Sequence, residues 1–480
     1  MGNSGSQSPA SDVIAPGVVG RGRGALEPIV QVRDGPHPDR RLVRAAAVDM
    51  FWAMSNVDLA SPRGALREVP FMGVIYVVHE AQKLGYQNGH PDWSNLGQGQ
   101  PEVGELRGAP PRFDTVTIEP GDHAYGPLEG IAELREAIAL HYNRLYRKGK
   151  HSQYSARNVA VAMGGRLALT RAMATLGAVN VGYQLPDYTA YEDMLNTHLA
   201  RLSTVPIRTR REDGFRLTPA QLQREIDDRG LGAFVVSNPC NPTGNLLCGS
   251  ELEQIVALAR QRHVTLLLDE FYSHFVYATN GAGDATPGNG PVSAARYIDD
   301  VDLDPVLLID GLTKSFRYPG WRIGWIVGPE AMVETIARAA SAIDGGPSRW
   351  AQRAAIAVLQ PARADQETTA LRAAFCDKRN VMVQRLRQLG VEFAAEPAGT
   401  FYCWGSLERL PEPFDDAMHF FRTALEHKVL TVPGSFFDVN PGGFRHGPSP
   451  YARWMRFSFG PPLANMQQGL DRLQAMLARA

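Results

Sequence analysis

Two spacings of apolar residues alternate along the middle of the chain, between about residues 125 and 360. Short apolar runs rich in β-branched side chains predict buried strands, and longer stretches with apolar residues every three or four positions predict amphipathic helices. Because parallel strands need a crossover between them, this alternation predicts a mostly parallel sheet packed between helices. We therefore expect an α/β fold over this region.

Individual elements follow from the same pattern. The predicted buried strands are GAFVVSNP, HVTLLLDEFY and PVLLIDGLTK. The predicted helices are VPFMGVIYVVHEAQKLGY, GIAELREAIALHYNRLYRK, RLALTRAMATLG and SELEQIVALARQR. Farther along the chain, the shorter runs VEFAAEPAGTFYCWGSL, VLTVPGSFF and RWMRFSFG predict the strands of a smaller α+β domain.

Changes in composition divide the chain into four segments. Residues 1–45 are rich in Gly, Pro, Ser and Arg without apolar periodicity, which predicts a flexible arm. We assign residues 46–120 to the smaller domain, residues 121–360 to the large domain, and residues 361–480 to the C-terminal part of the smaller domain. A Gly-rich insertion at 279–300 interrupts the large domain.

Composition narrows the class of protein. The 480 residues are 44% hydrophobic and carry a formal net charge of -1, so a large core is possible and no bulk attraction to nucleic acid or membrane is expected. The four cysteines, at 240, 248, 376 and 403, lack the C-x-x-C spacing of zinc sites, and we expect no metal. No apolar run reaches the roughly 18 residues of a spanning helix, and no leader opens the chain, so we expect a cytoplasmic protein.

Polar residues follow several predicted strands. Asn241 comes after one strand in VVSNPCNPTGN, Asp269 and Tyr272 come after the next in LLLDEFYSHF, and Lys314 follows a third in LLIDGLTKSF. The carboxyl ends of parallel strands meet at one edge of a sheet and open into a crevice. The sequence therefore predicts an active site there.

Three motifs carry a family resemblance. SNPCNPTGN, DEFY and TKSFRYPGWRIG, in that order, resemble the class I/II aminotransferases of the fold-type I pyridoxal-phosphate enzymes, and the resemblance extends from about residue 70 to 475. It implies an aspartate aminotransferase-like fold, with a seven-stranded sheet in the large domain. It also implies the cofactor pyridoxal 5'-phosphate, an amino acid substrate, and a homodimer with shared active sites in which residues 46–120 form part of the contact.

The resemblance assigns roles around the cofactor ring. Lys314 matches the lysine that forms a Schiff base with the cofactor aldehyde and later moves the proton at the substrate's Cα. Asp269 matches the carboxylate that keeps the ring nitrogen protonated. Asn241 and Tyr272 resemble the residues that hydrogen-bond the phenolic oxygen. Tyr188 matches the aromatic residue that covers the ring, and we expect the neighbouring Tyr191 to pack against it.

Other matches concern the cofactor's phosphate. The amides of Gly165 and Arg166, at a predicted helix start, are expected donors, together with the guanidinium of Arg322. Thr313 is a further expected cofactor-binding residue. Tyr125 resembles the tyrosine that reaches the phosphate of the neighbouring subunit. Arg166 is unusual for the family at this position, and the sequence leaves open whether it binds phosphate or substrate.

The substrate's carboxylate needs a cation, and Arg456 matches the family arginine that binds it, with Asn241 beside it. Arg453, three residues earlier, is the competing candidate. Many relatives carry a serine three residues before the lysine, whereas this chain has Gly311.

Three functions remain open at this stage. The leading one is amino-group transfer from an amino acid to a 2-oxo acid. The alternative is a non-transaminating enzyme of a biosynthetic pathway, which catalyses β/γ-elimination, replacement, cyclisation or annulation, with S-adenosylmethionine or a modified amino acid as a possible substrate. A transcription regulator on this fold would need an N-terminal DNA-binding domain, which residues 1–45 do not supply.

Overall fold

The computed structural model of the protein describes residues 73–277 and 290–479, together with residues 66, 69 and 71. The predicted arm at 1–45 and residues 279–289, half of the insertion at 279–300, lie outside the described residues. Within the described part, no helix is both long enough and apolar enough to span a bilayer.

The strands of the described part are short and most are buried. In chain order they are β1 Ser94–Asn95, β2 Val159–Ala162, β3 Asn180–Leu185, β4 Ser203–Arg208, β5 Leu231–Ser237, β6 Thr265–Asp269, β7 Val306–Gly311, β8 Gly324–Val327, β9 Glu392–Phe393, β10 Tyr402–Ser406, β11 Val429–Leu430, β12 Val432–Pro433 and β13 Trp454–Ser458. All three strands predicted in the large domain are present, as β5, β6 and β7.

Helices separate most of these strands. In chain order they are α1 Gly73–Lys83, α2 Ala132–Tyr146, α3 Gly165–Thr175, α4 Ala190–Asn196, α5 Pro219–Arg229, α6 Gly249–Arg262, α7 Glu330–Ile343, α8 Arg349–Val358, α9 Pro361–Gln388, α10 Ala417–Glu426 and α11 Leu463–Leu477. The helices predicted from apolar spacing are confirmed as α1, α2, α3 and α6. The segment GSFF, predicted within a strand-like run, instead forms the 3₁₀ turn Gly434–Phe437, one of several short 3₁₀ turns.

The large sheet has seven strands in the order β2-β8-β7-β6-β5-β3-β4. Every neighbouring pair is parallel except the two that involve β8, which runs antiparallel to β2 and β7. The mostly parallel sheet predicted from the sequence is therefore confirmed. Its central strands are buried throughout most of their length because helices cover both faces.

Register brings the ends of the central strands to one edge. Ser237 at the end of β5 pairs with Asp269 at the end of β6, and Asp269 pairs with Ile309, two residues before the end of β7. Residues just beyond β5, β6 and β7 therefore meet at the carboxyl edge of the sheet.

A second sheet covers this edge from the other side. It has four antiparallel strands in the order β12-β13-β10-β9, and a separate parallel pair joins β1 to β11. Arg456 lies on β13, opposite Trp404 of β10 and Val432 of β12. The smaller sheet thus presents an arginine toward the carboxyl edge of the larger one.

Candidate active site

A cavity of about 710 Å³ opens at the carboxyl edge of the large sheet. It is lined by nearly all of the residues singled out from the sequence: Gly165, Arg166, Tyr188, Asn241, Asp269, Tyr272, Thr313, Lys314, Arg322 and Arg456. The strand-end argument therefore located one site, with side chains from both sheets.

Lys314 lies three residues beyond β7, and its amine faces the cavity. Its Nζ donates a hydrogen bond to the carbonyl oxygen of Gly99, in the turn after β1. Burial is the largest of the effects that lower the pKa of Lys314 to about 7; the nearby guanidinium groups of Arg456 and Arg166 contribute to the decrease, and Asp269 opposes it. A large fraction of this amine is therefore neutral near neutral pH.

Asp269 ends β6 and is buried beside the same cavity. Its Oδ1 accepts a hydrogen bond from the N–H of Phe271 at 3.4 Å, and its Oδ2 accepts one from the hydroxyl of Tyr191 at 3.1 Å. Burial raises the pKa of Asp269 to about 6, although these hydrogen bonds and Lys314 favour the charged form. The carboxylate is thus held in one orientation on two sides.

Tyr191 has a polar contact in addition to the packing contact predicted from the sequence. Its ring packs edge-on against Tyr188 at 5.5 Å, as expected, and its hydroxyl also reaches Asp269. Nothing in the sequence indicates that this tyrosine forms a hydrogen bond with a carboxylate 78 positions away.

Arg456 is a buried cation with only neutral hydrogen-bond partners. Its guanidinium donates to Asn241 Oδ1 at 2.9 Å and to the carbonyl oxygen of Gly97 at 3.0 Å, and it lies 4.0 Å over the ring of Tyr402. Its Nε has no hydrogen-bond partner among the described residues. Arg453, by contrast, lies outside the cavity, 58% exposed, and pairs with Asp415 at 3.2 Å.

A second buried carboxylate supports this wall of the site. Asp187 accepts hydrogen bonds from the Ser237 hydroxyl and from the N–H of Tyr188, the latter at 2.7 Å, and the N–H of Asn241 donates to Ser237 Oγ at 3.0 Å. Burial raises the pKa of Asp187 to about 8. Sequence analysis missed Asp187 and Ser237, which link Tyr188 to Asn241.

Hydroxyl groups complete the inner surface. The hydroxyls of Tyr272 and Tyr402 lie 2.9 Å apart, and Tyr402 was not singled out from the sequence. The hydroxyl of Tyr188 accepts a hydrogen bond from Arg166 Nε at 3.1 Å. Arg166 is thereby directed along the cavity wall.

The start of α3 forms one end of the cavity. No side chain caps this helix, so its first N–H groups are available to a ligand. Gly164, at φ 84°, packs directly against the guanidinium of Arg322, and any Cβ there would collide with it. Thr313 Oγ1 is buried without a hydrogen-bond partner in the described part of the chain. A dianionic phosphate fits this set of unsatisfied donors and cations.

Steric crowding explains why position 311 is a glycine. A Cβ at this position would lie 2.5 Å from the carbonyl oxygen of Ile323 and 2.7 Å from the Cα of Gly324, because β8 approaches β7 closely here. Serine cannot be accommodated with this backbone. Side-chain donors at this end of the cavity are therefore Thr313, Arg166 and Arg322.

Tyr125 is the one predicted residue that does not line the cavity. Its side chain is 97% exposed. A role for Tyr125 in the active site of a neighbouring subunit stays a prediction.

Comparison with known proteins places the chain in a family. The family model described as Aminotransferase class I and II matches residues 91–473. An aspartate aminotransferase of Sulfurisphaera tokodaii is 25% identical over 396 residues, which cover 80% of this chain and 89% of that protein. Aromatic-amino-acid aminotransferase 2 of Thermococcus litoralis is 26% identical over 396 residues, covering 80% of this chain and 94% of the relative.

Solved structures agree with this likeness. An aspartate aminotransferase from Thermus thermophilus with maleate superposes with a TM-score of 0.68 at 24% identity, over 86% of this chain and 100% of the other. The predicted aspartate aminotransferase-like fold is therefore confirmed. The names of the relatives favour amino-group transfer over elimination, replacement or ring formation. The chain belongs to the class I and II aminotransferase family of pyridoxal-phosphate-dependent transferases.

Proposed function

We propose that the cavity binds pyridoxal 5'-phosphate and that the enzyme transfers the amino group of an amino acid to a 2-oxo acid. The observation that carries the proposal is the convergence of three groups on one cavity: a lysine with a pKa near 7, a buried carboxylate, and a buried arginine without an anionic partner. When bound, the cofactor would serve as an electron sink that weakens the Cα–H bond of the amino acid.

The phosphate would bind at the start of α3. The N–H groups of Gly165 and Arg166, the hydroxyl of Thr313 and the guanidinium of Arg322 supply donors and positive charge at that end. Arg166 already donates to Tyr188 through Nε, which leaves its terminal nitrogens for the phosphate. We therefore assign Arg166 to the phosphate rather than to the substrate.

Residues beside Lys314 would orient the cofactor ring. Asp269 would hold a proton on the ring nitrogen, and the Tyr191 hydroxyl keeps that carboxylate in place. Asn241 and Tyr272 would donate to the phenolic oxygen and Tyr188 would cover the ring, since all three line the same cavity. Their orientation is fixed by hydrogen bonds made within the protein.

Lys314 would act at the substrate's Cα. Its pKa lies near neutral pH, so the amine can both accept the Cα proton and return it. Arg456 would bind the substrate carboxylate, and its fixed bonds to Asn241 and Gly97 hold the guanidinium at the cavity wall.

We further propose a cytoplasmic homodimer. Tyr125, at 97% exposure, and Ile118, at 57%, lie on one segment, and a partner subunit would bury both. Tyr125 would then reach the partner's phosphate, as the family resemblance implies.

The test uses labelled nitrogen. An amino acid that carries an isotopic label in its amino group is incubated with the enzyme, the cofactor and a 2-oxo acid, and mass spectrometry follows the label. We expect a labelled new amino acid. Release of the label as ammonia, with no labelled amino acid formed, would contradict amino-group transfer and favour elimination.

A matched pair of variants tests the role of the lysine. Lys314→Ala should lower turnover by about 10³-fold or more and abolish the absorbance band that cofactor uptake produces. Lys428→Ala removes a lysine that is 49% exposed, on the surface, and should leave both unchanged. Uptake with the same band in Lys314→Ala would overturn the assignment.

A further inference from the structure

Tyr402 lies where the smaller sheet meets the cavity. It begins β10, lines the cavity, and is 1% exposed. On the antiparallel neighbour β13, Arg456 pairs with Trp404, two residues farther along β10, so Arg456 and Tyr402 are diagonal neighbours on one face of the sheet. This register explains why the guanidinium of Arg456 lies 4.0 Å over the Tyr402 ring.

Several contacts fix the orientation of Tyr402. Its ring packs edge-on against the ring of Tyr272, with the centroids 5.6 Å apart, and its N–H donates to Thr400 Oγ1 at 3.1 Å. The two tyrosine hydroxyls lie 2.9 Å apart. Tyr272 follows β6 at the carboxyl edge of the large sheet. The hydroxyl pair therefore joins the smaller sheet to the larger one at the cavity.

The direction of the hydrogen bond between these hydroxyls depends on the cofactor. Geometry alone allows either oxygen to donate. A phenol carries one proton, and in the proposed function Tyr272 donates its proton to the phenolic oxygen of the cofactor. Tyr402 must then be the donor to Tyr272. The cation over its ring favours this role: burial raises the pKa of Tyr402, and Arg456 is the largest effect that opposes the rise.

A hydrogen bond received from Tyr402 changes what Tyr272 can do. Hydrogen bonds in a chain strengthen one another, by roughly 10–30% per bond. Tyr272 thus becomes a stronger donor when its own oxygen accepts a proton from Tyr402. Resting on the proposed function, we propose that Tyr402 is a positioning residue that acts through Tyr272 on the phenolic oxygen of the cofactor.

The absorbance of the bound cofactor tests this. In the loaded enzyme, the Lys314 nitrogen that is joined to the cofactor shares its proton with the phenolic oxygen, and the pH midpoint of the absorbance change reports that proton. Loss of a donor leaves more negative charge on the oxygen to hold the proton, so the midpoint should rise. We expect a rise of about 0.7 pH unit or more in Tyr272→Phe and about 0.2 pH unit in Tyr402→Phe.

A double variant shows whether Tyr402 acts through Tyr272. When Tyr272→Phe and Tyr402→Phe are combined, the midpoint should equal that of Tyr272→Phe alone, because the hydroxyl through which Tyr402 acts is already gone. Additive shifts would mean that Tyr402 acts independently. A larger shift in Tyr402→Phe than in Tyr272→Phe would mean that Tyr402 itself donates to the cofactor. Either result overturns the inference, as does an unchanged midpoint in Tyr402→Phe.

Tyr142→Phe is the matched control. The Tyr142 hydroxyl is also buried and accepts a hydrogen bond from Trp325 Nε1 at 3.3 Å, but this tyrosine does not line the cavity. Both variants lose one buried hydrogen bond, so their losses of stability should be similar, whereas only Tyr402→Phe should move the midpoint. A similar movement in Tyr142→Phe would overturn the inference. All variants keep the charged groups that act on Lys314: Asp269, Arg166, Arg322 and Arg456.

Cofactor uptake separates this inference from the function on which it rests. If the unaltered enzyme develops no cofactor band, or if Lys314→Ala develops the same band, both are overturned. If the band depends on Lys314 but the midpoint is the same with and without the Tyr402 hydroxyl, only the role of Tyr402 is wrong.

Discussion

Two buried arginines differ in whether a carboxylate pairs with them. Arg317, in the turn after Lys314, has no exposed side-chain surface and pairs with Glu367 of α9 at 2.6 Å. Arg456, in the cavity wall, is 2% exposed and takes part in no ion pair among the described residues. In the first region a carboxylate pairs with the buried guanidinium, whereas in the second the cation has no anionic partner among the described residues.

This difference teaches how a binding site can be told from a structural cluster. Around Arg317, the carboxylate of Glu367 also lies 3.9 Å from Arg112, and the hydrogen bonds close within the protein. Around Arg456, the partners are an amide, a carbonyl and a ring, which orient the guanidinium without neutralising it. An unpaired buried charge lowers stability, and an arriving carboxylate relieves that cost.

The largest expected effect breaks the paired region. Glu367→Gln leaves Arg317 and Arg112 without a counter-ion and should lower the free energy of unfolding by about 3–5 kcal/mol. Denaturant titration measures this. Asp365→Asn, on the same helix, breaks an exposed pair with Arg144 and should cost less than about 1 kcal/mol. Similar losses of unfolding free energy in both variants would mean that the buried ion pair contributes no more to stability than the exposed one.

The converse substitution removes the uncompensated charge. Arg456→Met should raise the KM for the amino acid by about 30-fold or more, since it deletes the partner of a buried carboxylate. It should leave the free energy of unfolding unchanged or higher, because a buried cation is replaced by an apolar group of similar size. Arg453→Met is the control and should alter KM less than about twofold. A strongly destabilised Arg456→Met would mean that this arginine is structural as well.

The pH dependence sharpens the comparison. Below the pKa of Lys314, about 7, its amine carries a proton and cannot attack an aldehyde, so cofactor capture should slow about tenfold per pH unit as the pH falls. The folded lysine loses its proton at lower pH than the unfolded chain does, so the cofactor-free protein should gain stability as the pH rises from about 7 toward 10.5. Stopped-flow absorbance and thermal melting measure the two trends.

The same profile distinguishes the two arginines. Arg456 lowers the pKa of Lys314, so the break in the capture profile should move to higher pH in Arg456→Met. In Glu367→Gln it should stay where it is. Movement in both variants would indicate a general change in the cavity.

The smallest expected effect concerns Tyr191. Its hydroxyl favours the charged form of Asp269, so Tyr191→Phe should raise the pKa of that carboxyl. The acid limb of the activity profile should then move upward by about 0.7 pH unit, the equivalent of one hydrogen bond of about 1 kcal/mol. Tyr154→Phe removes a buried hydroxyl that has no hydrogen-bond partner in the described part of the chain and lies away from the cavity, so it should leave the profile unchanged.

The fold could be predicted because each strand and helix reports its own environment. Runs such as LLLD and VLLID are mostly apolar because both faces of the sheet are covered. The polar residues that follow them mark the carboxyl edge of the sheet, where the cavity opens. The cavity residues at those strand ends were therefore accessible from spacing and from the family motifs. Lys314 and Asp269 could therefore be identified without knowledge of the three-dimensional structure.

Pairings between distant segments were not accessible in the same way. The bond from Tyr191 to Asp269 joins α4 to β6, and the contact of Lys314 with Gly99 joins residues 215 positions apart. Asp187 and Ser237 look like ordinary turn and strand-end residues until the two strands are aligned. Such contacts depend on tertiary packing, which local patterns do not encode.

The close approach of β8 to β7 also limits the routes by which this protein could change. A serine at position 311 would collide with the carbonyl of Ile323 as long as the backbone keeps its present position. The neighbouring strand would have to shift first, and that shift would disturb Gly324, whose own missing Cβ leaves room for the backbone of Gly164. Each of these three glycines thus limits what the others can become, and directed evolution toward tighter phosphate binding should accumulate changes at other positions.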